Sequence, residues 1–122
     1  MKISNVISQL RTTDLQSSIR FYTALPGFSL EFCYDDFYAG IRAGHEIFHL
    51  KHVDTKDPSI DDVQHHGHFH LYFSVPDIAT AAREIREAGV SIVKDLHHTE
   101  WKTREFIIKD DQGHVLYFGQ AD

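Results

Sequence analysis

The chain has 122 residues, 42% of them hydrophobic, with nine Phe, five Tyr and one cysteine. That is enough for one compact core, too short for two independent domains, and excludes an intrachain disulfide. Twelve Lys and Arg stand against eighteen Asp and Glu, a formal charge of −6, so no surplus of cations exists to displace counterions from a phosphate backbone and nucleic acid is not an expected partner.

Residues 3–12 predict a strand, followed by a helix from about Leu15 to Leu25 whose apolar or small residues Leu15, Ser18, Ile19, Tyr22 and Leu25 make one stripe. Asp14 precedes the stripe as an N-cap, and Pro26-Gly27 turns the chain into a strand near Phe28 to Tyr34. Phe37 to Arg42 and His45 to His52 read as a hairpin about Ala43-Gly44. The polar stretch 54–67, with Pro58, reads as a flexible connector. A strand from His68 to Val75, a helix from Ile78 to Ala88, a strand from Val90 to Lys94, a loop through His97, His98 and Trp101, a strand from Arg104 to Lys109, a turn at 110–113 and a strand from His114 to Gly119 complete the order. No basic-then-apolar leader and no bilayer-length apolar run is seen, which predicts a cytoplasmic chain with no membrane partner.

The two helices repeat each other 63 residues apart, Asp14 falling on Asp77 and the first stripe on Ile78, Ala81, Ala82, Ile85 and Ala88. The chain therefore reads as one α+β domain, 1–122, built of two tandem βαβββ modules, about 1–53 and 68–120, whose mixed sheets curve around a cleft. In the strand 68–75, Phe69, Leu71, Phe73 and Val75 alternate with His68, His70, Tyr72 and Ser74. Period-two alternation packs the apolar set beneath the helix and turns the polar set to the cleft. The same offset places Ile7, Gln9 and Arg11 on the equivalent face of the first strand. Alternation in the hairpin and last strands adds His49 and Tyr117. His65, His66 and His68 read as solvated residues.

Four segments together resemble the vicinal oxygen chelate superfamily, the glyoxalase, bleomycin-resistance and extradiol-dioxygenase group. They are Thr13-Asp14-Leu15 through Phe21-Tyr22 with Gly27-Phe28, His70 to Asp77, Trp101 to Phe106, and Asp110 to His114. The tryptophan-led REF strand and the D-x-x-G turn lean toward the bleomycin-resistance-like branch. The resemblance implies a homodimer. It also implies metal-ligand positions on four strands, which here read Ile7, His49, His70 and Tyr117. Isoleucine has no lone pair and a phenol gives up its proton only near pH 10, so His49 and His70 are the only good candidates for a divalent ion and no metal cofactor is expected.

What remains suits a small hydrophobic or aromatic compound held by stacking and a few hydrogen bonds by Ile7, Gln9, Arg11, His49, His70, Tyr72, Trp101, Arg104 and Tyr117. Arg11 is suited to grip a ligand carboxylate or phosphate. No G-x-S-x-G elbow, Walker loop, H-E-x-x-H helix or paired cysteines occur. The expected function is binding without transformation; the alternative is a divalent-metal-dependent lyase, isomerase or dioxygenase of the same superfamily.

Overall fold

Asp14 and Asp77 each accept a hydrogen bond from the backbone N–H three residues on, Ser17 at 3.0 Å and Thr80 at 3.1 Å, and each opens a helix as the repeat predicts. The computed structural model describes residues 1–122 and divides into two units, Met1–Asp57 and Pro58–Asp122.

The first unit runs β1 (Gln9–Thr12), α1 (Leu15–Thr23), β2 (Phe28–Tyr34), β3 (Tyr38–Ala43) and β4 (Glu46–His52). Its sheet has the order β1-β4-β3-β2, with β1 parallel to β4 and the other pairs antiparallel. Leu15, Ile19 and Tyr22 of α1 are buried, as are Leu10, Ile41, Phe48 and Leu50 of the strands. The Tyr22 ring meets Phe48 edge-on at 5.0 Å. Two buried hydroxyls, Thr12 and Ser18, satisfy each other at 2.7 Å, joining β1 to α1 without an orphaned polar group.

The second unit repeats the order after an added helix: α2 (Pro58–His65), β5 (Leu71–Ser74), α3 (Ile78–Glu87), β6 (Ile92–His98), β7 (Thr103–Lys109) and β8 (Val115–Ala121). The sheet order is β5-β8-β7-β6, again with a single parallel pair, β5 on β8. Ile78, Ala82 and Ile85 of α3 are buried, with Phe106, Ile108, Leu116 and Phe118 from the strands. Phe118 lies in a stack with Phe106 at 5.0 Å on one side and Phe73 at 4.9 Å on the other. The architecture is α+β, two βαβββ modules, as the sequence predicts.

Four details differ from expectation. Residues 3–8 form no strand: Ser8 O accepts from His49 N at 2.9 Å, but Ile3, Val6 and Ile7 are exposed, so no burial enforces pairing further back. The connector is not a loop. Pro58 sits at the first helical position and Ile60 is fully buried, so one anchored side chain turns a polar stretch into α2. Gln64 holds that helix down by donating to Gly113 O at 2.6 Å. His97 and His98 lie on β6, paired with Glu105 and Arg104 across register shifts that hide the strand's alternation. The strand expected from His68 starts only at Leu71.

Candidate ligand-binding site

In the second unit the residues of β7 alternate, Phe106 and Ile108 buried in the core and Thr103, Glu105 and Ile107 on the opposite face. Tyr72 leaves the edge strand β5 and passes over Gly119 of β8, where a Cβ would collide with its ring and hydroxyl. Its hydroxyl donates to Glu105 Oε2 on β7 at 2.8 Å. The Thr103 hydroxyl donates to the same oxygen at 3.0 Å, and Trp101 Nε1 points to it from 3.5 Å. Glu105 is only 2% exposed, so these donors replace the water that a carboxylate otherwise demands.

Around this carboxylate the rings gather. Phe69 lies 5.5 Å from Tyr72 and 5.2 Å from Tyr117, and Tyr72 and Tyr117 are 6.4 Å apart. Phe69, Tyr72 and Trp101 are nonetheless exposed large hydrophobics, Trp101 at 68%. Partial burial, with Glu105 adding to it, pushes the Tyr72 phenol up to about 12 and raises that of Tyr117 as well.

The first unit uses the same device with different strands. Phe32 of β2 lies over Gly40 of β3, which has no room for a Cβ, and reaches His49 of β4 edge-on at 5.3 Å. Gln9 Nε2 donates to the Tyr38 hydroxyl at 3.1 Å, and that oxygen lies 2.9 Å from His49 Nδ1. With the Tyr38 O–H donating to Nδ1, the ring of the neutral imidazole carries its own N–H at Nε2. Arg11 Nε extends the chain to Gln9 Oε1 at 3.4 Å. Ile7, Glu31, Phe32, Ile47 and His49 contribute to the wall of a cavity of about 250 Å³.

The structure thus brings Ile7, Gln9, Arg11 and His49 into one neighbourhood, and Tyr72, Trp101 and Tyr117 into another. His70 and Arg104 are placed otherwise. His70 Nδ1 accepts from Val115 N at 2.9 Å, and its ring meets the buried His114 edge-on at 4.8 Å, while Phe69, assigned by alternation to the core, packs with the tyrosines instead. Alternation fails there because both residues precede β5. Arg104 turns away from Glu105: Nη2 donates to Gln120 Oε1 at 3.2 Å, and that oxygen also accepts from Ile78 N at the start of α3. Sequence reasoning passes over Glu105 as an ordinary charge, and over Phe69 and Tyr38. The available signal was Gly119 in a strand beside an aromatic-rich face, since a strand glycine marks a close approach.

The side chains present do not fit a divalent ion. No three His, Cys, Asp or Glu side chains gather in a metal-binding group. Ile7 brings no donor atom, His70 Nδ1 is engaged by a backbone N–H, and the raised phenol of Tyr117 resists becoming an anionic ligand.

The profile of the Glyoxalase/Bleomycin resistance protein/Dioxygenase superfamily matches residues 3–118. Among solved structures, a glyoxalase-related enzyme from Clostridium phytofermentans is similar at a TM-score of 0.80 and 16% identity, over 100% of this chain and 98% of that one. A bleomycin-binding protein from Streptomyces verticillus, complexed with copper(II)-bleomycin, gives a TM-score of 0.75 and 20% identity over 100% and 98%. Another bleomycin-binding protein, complexed with bleomycin, gives 0.74 and 20% over 98% and 100%. No curated protein matches the chain. At these identities the likeness is one of fold. No helix is long and apolar enough to cross a membrane.

Proposed function

Because the chain belongs to the Glyoxalase/Bleomycin resistance protein/Dioxygenase superfamily, we propose that it is a homodimeric binding protein that takes up a small hydrophobic or aromatic compound and releases it unchanged, without a resident metal. The observation that carries this reading is the aromatic face of the second unit, where Phe69, Tyr72, Tyr117 and the exposed Trp101 surround a hydrogen-bonded carboxylate. Flat rings offer offset or edge contacts to a planar ligand, each worth about 0.5–1.5 kcal/mol beyond the area buried. Tyr72 and Glu105 are braced against each other across Gly119, so little ordering is needed on binding. In the first unit, His49 and the cavity beside Ile7 and Phe32 offer an apolar surface of their own with one ring nitrogen for a polar ligand group. The similar bleomycin-binding proteins hold bleomycin or copper(II)-bleomycin in their own structures, which supports a small-molecule ligand. The mismatch of donor atoms supports binding without a metal. Self-association rests on the family resemblance carried by the sequence.

Ligand-induced thermal stabilisation across a panel of planar aromatic compounds, with quenching of the single tryptophan and sedimentation analysis, tests the proposal. A hit recovered chemically unchanged from a dimer is the expected result. Stoichiometric metal in the purified protein, lost in His49→Ala or His70→Ala, would replace it with the divalent-metal enzyme.

A further inference from the structure

We infer that the aromatic face of the second unit selects an organic cation: a protonated amine, amidine or quaternary ammonium group carried on a planar apolar body, with Glu105 as its counter-charge. The inference rests on the proposal that this face holds an aromatic compound, and adds the charge of that compound.

Glu105 is almost fully buried, yet its hydrogen-bond donors, Tyr72, Thr103 and Trp101, are all neutral. Hydrogen bonds from neutral groups hold a carboxylate in place without cancelling its charge, and a charge in a partly desolvated setting acts over a longer reach than one in water. All three donors converge on Oε2, so none of them competes for Oε1. The field of the carboxylate is felt nearby: it is among the causes that raise the phenols of Tyr72 and Tyr117.

The rings beside it carry the same preference. An aromatic face is electron-rich, and Trp and Tyr are the better partners of a cation placed above the ring. Phe69, Tyr72 and Tyr117 pack at centroid distances of 5.2–6.4 Å, and Trp101 sends its N–H to the carboxylate. A cationic head among these rings meets π faces and one anion together. A neutral ligand of the same shape uses only the rings, and an anionic one is repelled. A bare metal ion is poorly served, because one carboxylate and neutral hydroxyls fall short of the oxygen ligands that hard cations take. The net charge of −6 draws cations toward the surface.

Three probes of one shape separate the possibilities at pH 8: 9-aminoacridine, which is cationic, acridine, which is neutral, and acridine-9-carboxylate, which is anionic. Affinities are read by calorimetry and by quenching of Trp101. The expected order is cation, then neutral compound, then anion, with about tenfold between the first two. Glu105→Gln keeps the size of the side chain and an acceptor for Tyr72; in it the ratio of cation affinity to acridine affinity should fall to about one. Should that variant fail to fold by circular dichroism, the native protein replaces it, with the charge state of bound 9-aminoacridine read from its absorption spectrum as pH rises; the bound probe should hold its proton to higher pH than the free probe. Equal binding of cation and neutral probe, a preference that survives Glu105→Gln, or a bound probe that loses its proton where the free one does, overturns the inference while leaving the aromatic-ligand proposal standing. Failure of all three to bind overturns both.

Discussion

Tyr72 and Gly119 occupy the same space: the tyrosine ring crosses the sheet where the glycine has no side chain, and its hydroxyl reaches Glu105 two strands away. Gly119→Ala is therefore expected to expel the ring, break the bond to Glu105 and destabilise the fold by about 1–3 kcal/mol, as overpacking does. Denaturant unfolding measures the loss. In a Tyr72→Ala background the same alanine should cost close to nothing, and this non-additivity identifies the collision as the cause.

The same pair of side chains sets an alkaline limit on stability. The Tyr72 phenol is pushed from 10.0 up to about 12, first by burial and then by its bond to Glu105. The folded chain thus keeps this proton after the unfolded chain has lost it. The stabilising contribution is complete below pH 10 and falls away as pH rises through 12. Tyr72→Phe should flatten the decline of stability across that window relative to the native protein, and spectrophotometric titration should lose one tyrosinate step displaced to high pH.

Sequence alone reaches the fold because both capped helices announce themselves twice: Asp14 and Asp77 cap as predicted, the buried stripe of α1 falls where the periodicity puts it, and that of α3 does so at Ile78, Ala82 and Ile85, while Ala81 is half-buried and Ala88, at the end of the helix, is exposed. The binding face is less legible. Tyr72 and Tyr117 follow from alternation and are paired in register, but Phe69 and His70 stand before the strand begins, where period two no longer governs direction. Glu105 escapes notice because its importance lies in burial and in the Tyr72 hydroxyl two strands away, neither of which a local pattern records.

Ile60 shows how one contact overrides composition. The stretch 54–67 is polar enough to read as a loop, yet Ile60 is fully buried and the Gln64 amide holds Gly113. Ile60→Ala should cost about 2–4 kcal/mol, combining lost transfer energy with the cavity left behind. If α2 depends on that anchor, amide exchange in 58–66 should quicken well beyond the change in global stability. Uniform acceleration across the chain would instead make α2 an integral part of the cooperative core.

Asp110 closes the turn before β8 by serving three donors, two of them, both on His114, fully buried. Its Oδ1 accepts from Gln112 N at 2.9 Å and His114 N at 2.8 Å, and its Oδ2 meets His114 Nδ1 at 2.7 Å, with both side chains 1% exposed. Removing the carboxylate leaves the two His114 donors with neither protein nor water to accept from them, so Asp110→Ala should destabilise by about 2–4 kcal/mol. Asp110→Asn preserves Oδ1 for the two backbone groups and presents an amide N–H to His114, which must then move its ring proton from Nδ1 to Nε2. Its cost should be clearly smaller than that of alanine. Chemical-shift analysis of the His114 ring nitrogens should report the exchange of tautomer; an unchanged tautomer, or equal destabilisation by the two variants, would show that the backbone turn and not the side-chain pair holds β8 in register.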